Sequence, residues 1–198
     1  MKTNLEYIRA FFGERGESEP LFTDDELQNI MNGHLVHRMT PALEKKLARE
    51  NVEYSVVDDS CLLLLTLKRE VRESEDIEVF YAGVGNWQDT AGKLEVGEEE
   101  HELAPGEFID TLHGRVGLTG PLPGVTKVLM VTYLLDIRAV LIELTRILKA
   151  SRARLAVKAQ LAGLNVDLSQ VSRRLEKEIE ELSTSYELPF NLPEDFPH

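Results

Sequence analysis

Five histidines and one cysteine are the residues with which this chain could bind a metal ion or supply a nucleophile. His34 and His37 form a close pair at i, i+3, but no cysteine or carboxylate follows at zinc-like spacing. We therefore expect two surface histidines near a helix end rather than a metal site. Cys61 opens the apolar run CLLLLTL, where its acidic and aliphatic neighbours do not favour a thiolate, so we expect a buried structural cysteine.

Three further patterns resemble catalytic or binding motifs, but each lacks a necessary part. Asp110 and His113 could support a nucleophile, yet the chain has no nucleophile elbow and no glycine-rich oxyanion segment. The GVG at residues 83–85 lacks the third glycine of a dinucleotide fingerprint and predicts a turn. The acidic run at residues 98–102 is typical of a solvated loop. These patterns predict no enzymatic activity, no cofactor and no metal site.

The composition is acidic, with 22 basic and 35 acidic residues and a formal net charge of −13 among 198 residues. Such a chain repels nucleic acid as a whole, which disfavours sequence-specific binding but not contact with DNA that slides past. Asp136, Arg138, Glu143 and Arg146 interrupt the most apolar stretch, so no run reaches the ~20 residues of a membrane span. We expect a soluble intracellular protein of one domain, or one domain with an insert.

The first 50 residues predict three short helices. Asn4 is a candidate N-cap for a helix that ends at Gly13. Thr23 and Glu26 form a capping-box pattern ahead of an amphipathic segment. Thr40-Pro41 suits the start of a third helix, because proline is favoured in the first turn.

From residue 52 the hydrophobic period changes to two, which is the period of a β-strand. Residues 52–56 and 61–67 are separated by turn-forming residues and predict a hairpin. A strand follows at residues 77–81. Shorter candidates lie at residues 93–96, 107–112 and 115–118, so we expect a small antiparallel sheet.

Residues 126–187 predict a long helix, a short extended loop and a second helix. The apolar stripe of the first is too wide for a helix lying on one sheet, so its own domain or copies of the chain must cover it on several sides. Gly163 and the capping-box pattern of Asp167 and Gln170 separate it from the second helix, which has one narrow apolar stripe. We expect these stripes to pack between subunits through Leu134, Ile137, Leu141, Leu144, Leu148, Leu175, Ile179 and Leu182.

The segment LPFNLPEDFPH, residues 188–198, has three prolines and two phenylalanines and cannot be helix or central strand. Extended, proline-spaced segments lose little entropy when they dock in a groove of another protein. A disordered terminus is the alternative. We expect a docking tail formed by Leu188, Pro189, Phe190, Asn191, Leu192, Pro193, Phe196, Pro197 and His198.

Together these segments predict an α+β, mainly α, fold. It is a helical bundle with a long central helix and a C-terminal helix, plus an inserted small antiparallel β module and an extended C-terminal tail. We expect N-terminal helices and a linker at residues 1–51, the β-rich insert at 52–120, and the two later helices at 121–187, where they complete the helical core with residues 21–50. The docking tail occupies residues 188–198.

Several segments occur in a distinctive order. They are the TDDELQNIM helix, the strand-rich insert, a glycine-proline connector, the YLLDIRAVLIELTRIL helix and the NVDLSQVSRRLEKEIEEL helix. In this order, over residues 21–187, the chain resembles the head-to-tail adaptor, connector, head-completion or neck proteins of tailed bacteriophages. The most specific parts are YLLD at residues 133–136 and VDLS, which is VDFS or VDLS in that family. The N-terminal helix and the longer insert depart from the smallest family members.

The resemblance implies a non-enzymatic virion protein in the neck between capsid and tail, present in the host cytoplasm during assembly. Family members form a ring, commonly a dodecamer, that docks on the portal protein through C-terminal tails. They offer the other face to the next neck, head-closure or tail-terminator protein, and genomic DNA passes through non-specifically. Negative charge suits such a channel, because DNA carries one charge per ~1.7 Å. The alternatives are an intracellular dimeric regulatory or binding module with the β insert as its ligand face and, third, an enzyme.

Overall fold

The structure, a computed structural model, describes residues 2–14, 20–49, 52–57, 61–72, 77–90, 92–120, 127–151 and 168–184, together with residues 154 and 156. The described residues form five helices and eight strands. The helices are α1 Asn4–Phe11, α2 Asp24–Gly33, α3 Pro41–Arg49, α4 Ile137–Ala150 and α5 Leu168–Thr184. The strands are β1 Glu53–Val56, β2 Leu63–Arg72, β3 Ile77–Tyr81, β4 Lys93–Val96, β5 Glu99–Glu100, β6 Phe108–Asp110, β7 Arg115–Thr119 and β8 Val128–Thr132.

The strands form one antiparallel sheet in the order β5-β4-β8-β2-β3-β7-β6, with β1 paired to β2 outside this path. The long strand β2 organises the sheet. Its first half pairs with both β1 and β8, and its second half pairs with β3. Leu63, Leu65 and Leu67 are at most 5% exposed and alternate with half-buried residues, as expected for a strand with one face in a core.

The prediction of a mainly helical bundle is wrong. The fold is mixed α/β, and the curled, half-barrel-like sheet is a major part of it. The error lies in residues 128–132, predicted as the first turns of the long helix, which form the central strand β8 between β4 and β2. The side chains on both faces of this strand are largely covered, since Val128, Leu129 and Met130 are all buried, so its sequence is nearly continuously apolar. Periodicity alone does not distinguish that pattern from a buried helix.

Residues 133–136 form a short extended segment that is hydrogen-bonded along both sides. On one side it pairs with residues 34–36, and on the other with residues 86–88. Four backbone hydrogen bonds of 2.7 to 2.9 Å hold it in place. The two antiparallel bridges join Leu35 to Leu135 and Trp87 to Leu134.

The buried side chains form two cores. The helical core lies among α1, α2, α4 and α5, and its members include Ile8, Phe12, Leu27, Leu141, Leu144 and Leu175. The sheet core lies between the sheet and α3, and its members include Leu43, Leu47, Leu65, Trp87, Val116 and Met130. Leu43 and Leu47, both at most 2% exposed, are the residues through which α3 packs on the sheet.

Local capping signals define the helix starts. The predicted capping box of Thr23 and Glu26 is present in α2. In α1 the N-cap is Thr3, one residue before the predicted Asn4, and Glu6 completes a second capping box. The Asp89 carboxylate accepts the backbone N–H groups of Asn4 and Leu5, both at 3.1 Å, and thereby joins the start of α1 to the sheet side of the molecule.

One buried carboxylate secures the segment 101–107, which crosses from the β5 edge to the β6 edge of the sheet. Glu107, whose side chain is 3% exposed, accepts the Ala104 N–H at 2.9 Å, and His101 Nε2 lies 2.7 Å away. It also accepts hydrogen bonds from the backbone N–H and the hydroxyl of Thr119, at 2.9 and 2.8 Å. Burial alone would raise the pKa of Glu107, but the hydrogen bonds outweigh it and lower the pKa to about 2.

The low pKa of Glu107 predicts acid-sensitive stability. Because the ordinary value is 4.5, the ionised group stabilises the fold above about pH 4.5, and this contribution is lost as the pH falls towards 2. We expect a loss of about 2 to 3 kcal/mol in the free energy of unfolding over that interval. Glu107→Gln removes this pH dependence, whereas Glu102→Gln, at an exposed position, retains it. Denaturant unfolding at several pH values measures both, and parallel curves for wild type and Glu107→Gln would contradict the assignment.

The burial of α4 predicts a stability effect that does not depend on protein concentration. Leu144 is 0% exposed, so Leu144→Ala should lower the free energy of unfolding by about 2 to 5 kcal/mol through a cavity in the helical core. Ile142→Ala, at a half-buried position of the same helix, should cost about 1 kcal/mol. Unfolding at two concentrations that differ a hundredfold tests this. If the Leu144→Ala loss changed with concentration, a subunit interface rather than one chain would bury the residue.

Candidate functional site

Asp110 and His113, the pair considered above as support for a nucleophile, are in contact at the β6–β7 turn. Asp110 is 0% exposed, and one of its oxygens accepts the His113 backbone N–H at 3.0 Å and lies 2.9 Å from His113 Nδ1. Its other oxygen accepts hydrogen bonds from Arg115 Nη2 at 2.7 Å and from Arg115 Nε at 3.2 Å. A buried carboxylate is thus neutralised by an arginine and closes a tight turn.

The turn itself explains this cluster without a reaction. Gly114 has φ of +69°, and a Cβ there would lie 2.0 Å from the Val84 carbonyl oxygen, so the position requires glycine. The neighbouring hydroxyl of Thr111 contacts Asp89 rather than His113. His113 and Asp110 therefore have the geometry of an oriented histidine, but no described hydroxyl or thiol is aimed at the ring.

The remaining candidates for metal or nucleophilic chemistry are dispersed. His34 Nε2 pairs with the Glu143 carboxylate, whereas His37 is exposed. Cys61 is buried, as predicted. Within the described ranges, no three or more His, Cys, Asp or Glu side chains are grouped so that they could hold a metal ion.

The predicted acidic run is solvent-exposed. Glu98, Glu99, Glu100 and Glu102 are all exposed, and the Glu100 carboxylate lies 3.6 Å from Lys93 Nζ. An exposed pair at that distance contributes little to stability. The run is therefore solvated, as expected, but it is not all loop, because Glu99–Glu100 form the edge strand β5 paired with β4.

Most of the residues predicted to pack between subunits are buried inside one chain. Leu134, Ile137, Leu141, Leu144, Leu148 and Leu175 are each at most 5% exposed. Leu134 belongs to the sheet core and the others belong to the helical core. One chain therefore covers the broad apolar stripe of α4, which removes the reason for requiring neighbouring copies there. Ile179 and Leu182, near the end of α5, remain partly exposed.

An open cleft of about 300 Å³ lies between the start of α4 and the end of α5, lined by Asp136, Arg138, Ala139, Ile142 and Ser183. Its polar groups have structural partners. The Asp136 carboxylate accepts the Ala139 N–H at 3.0 Å as the N-cap of α4, and Arg138 Nε donates to the Leu182 carbonyl. The predicted docking tail, residues 188–198, lies outside the described residues, which end at Thr184.

The turn interpretation of Asp110 predicts unequal effects of two substitutions. Asp110→Ala removes the buried acceptor of the His113 N–H and of Arg115, whose side chain is 34% exposed and stays solvated, and should lower the free energy of unfolding by about 2 to 3 kcal/mol. His113→Gln, whose side chain is 39% exposed in the wild type, should cost about 1 kcal/mol or less. Thermal or denaturant unfolding of both variants measures the difference. Equal losses would show that the histidine is as important to the turn as the carboxylate.

Comparisons with known proteins add no family to this description. No protein-family model, no curated protein and no solved structure matches the chain. In the part of the chain that the structure describes, none of the helices combines the length and apolar character needed to cross a membrane.

Proposed function

We propose that this chain is a structural virion protein, a head-to-tail adaptor of a tailed bacteriophage. It docks beneath the portal protein as a ring of copies, commonly a dodecamer, and extends the DNA channel. It connects the packaged head to the next neck or tail component. The basis for this proposal is the resemblance of residues 21–187, together with the composition of the tail at residues 188–198.

The structural observation that supports a docking role best is the one-sided packing of α5. Val171 and Leu175 are buried against the helical core, whereas Ile179 and Leu182 towards the end of the same helix are only partly covered. The open cleft adjoins that end through Ser183. Partly exposed apolar side chains are the kind of residue on which protein interfaces concentrate their binding energy, and the sequence that follows α5 adds the aromatic residues Phe190 and Phe196.

The burial of α4 limits how copies could assemble. The apolar stripe of this helix is enclosed by α1, α2 and α5 of the same chain, so a ring has to use surfaces other than that stripe. The outer side of α5 remains for that purpose and carries charged residues such as Arg174 and Lys177. Subunit contacts of the proposed ring are therefore polar, with Ile179 and Leu182 as its apolar contribution.

The alternative of a dimeric binding module that uses the β insert as its ligand face has less support. The inner side of the curled sheet is filled by its own side chains, because Leu65, Trp87 and Val116 are all 0% exposed. A ligand site needs a concave space that the protein leaves unfilled. The described part of the sheet core offers no such space at these residues.

Substituting the aromatic anchors of the tail tests the proposal. Phe190→Ala with Phe196→Ala should weaken binding to isolated portal assemblies at least about tenfold, because buried aromatic anchors dominate interface energies. The control, Phe190→Leu with Phe196→Leu, retains apolar bulk and should bind within about threefold of wild type. Sedimentation with portals measures binding, and electron microscopy shows whether the bound protein forms a ring. Unimpaired binding of the alanine variant, or bound monomers and dimers without a ring, would contradict the proposal.

A further inference from the structure

The helix α3 and the residues just before it carry positive charge on an acidic protein. Residues 37–49, HRMTPALEKKLAR, contain four basic residues and one glutamate, whereas the whole chain has a net charge of −13. Arg38, Lys45 and Arg49 are all exposed. We call these three residues the α3 patch.

The cations of the α3 patch have no partner among the described residues. No carboxylate of the described ranges forms an ion pair with Arg38, Lys45 or Arg49. By contrast, Arg115 and Lys149 lie 2.7 and 2.5 Å from a carboxylate oxygen. In a chain with this excess of acidic residues, three unpaired cations on one short segment form a local site for an anion.

Helix stability does not account for the whole patch. Cations near a helix C-terminus interact favourably with the helix dipole, which explains Arg49 in the last turn of α3. Arg38 precedes the first turn, where the dipole disfavours positive charge. Packing does not require these side chains either, since α3 contacts the sheet core through Leu43 and Leu47.

The chemistry of the surface favours a polyanion over a protein partner. Within α3 itself the exposed side chains beside the patch are small or polar, such as Ala42, Glu44 and Ala48. Protein interfaces need apolar or aromatic anchors at their centre and are depleted in lysine there. A nucleic-acid backbone is recognised by cations alone.

The dimensions fit a duplex. A helix of nine residues is about 14 Å long, and Arg38 extends the charged segment to about 20 Å, which is less than one turn of B-DNA at ~34 Å. Lys45 and Arg49 are one helical turn apart on one side of α3. We propose that the α3 patch contacts the phosphate backbone of double-stranded DNA without reading its sequence. This deepens the proposed function and rests on it for its biological setting, because an adaptor that extends the channel meets the genome.

Binding of a 30-base-pair duplex by the isolated full chain at about 50 mM salt tests the inference. Arg38→Gln, Lys45→Gln and Arg49→Gln together should weaken binding at least about tenfold and reduce the slope of log affinity against log salt by about two to three. The control changes Lys127, Arg146 and Arg173 to glutamine, which are exposed cations elsewhere, and alters the net charge equally. It should bind within about twofold of wild type. Circular dichroism confirms that both variants fold.

Each result has a definite meaning for the inference. No measurable binding by wild type, or equal weakening in the control, would overturn it. Binding of polyglutamate as tight as that of the duplex would also overturn it, because the patch would then accept acidic peptides. The assay contains no portal, so a failure of portal docking with intact DNA binding would reject the proposed function alone. Normal docking without DNA binding would reject only the inference.

Discussion

The fold depends on the backbone hydrogen bonds that residues 133–136 make on both sides. This segment is held between residues 34–36 and 86–88, so it connects helical and sheet parts of the chain. Successive side chains of an extended segment point in opposite directions. Leu134 therefore lies in the sheet core and Leu135 in the helical core. Loss of these hydrogen bonds would leave buried N–H and C=O groups unpaired and would separate the two cores.

The same segment determines where α4 begins and what covers it. Asp136 is the last residue of the extended segment, where its N–H donates to the His34 carbonyl. Its carboxylate caps the N-terminus of α4. The helix consequently starts next to the helical core, where α1, α2 and α5 cover its apolar side chains. The surfaces that we propose for partners lie outside both cores. Among the described residues they are the end of α5, the open cleft beside it and the outward side of α3.

The sequence predicted those features that depend on neighbouring residues. The capping box at Thr23 and the hairpin of β1 and β2 are local patterns, and β4 lies at the predicted residues 93–96. The strand β8 was missed because its pairing partners, β2 and β4, are distant in the chain, and an apolar run is compatible with a helix or a central strand. Contacts such as Asn4 with Asp89 are likewise beyond local patterns. In the candidate site, the sequence predicted neither the contact between Asp110 and His113 nor the role of Arg115, because both depend on the turn between β6 and β7 and on the pairing of these strands.

The net charge describes the surface of this protein poorly, because it sums the charges of side chains that lie too far apart to interact. At physiological ionic strength the screening length is about 8 Å, so an approaching phosphate responds mainly to the nearest side chains. The acidic run at residues 98–102 and the α3 patch therefore act as separate surfaces, even though a single net charge describes both. The overall negative charge still matters at longer range, where it disfavours approach to most of the surface. On our proposal, a polyanion therefore approaches the protein from the side of α3.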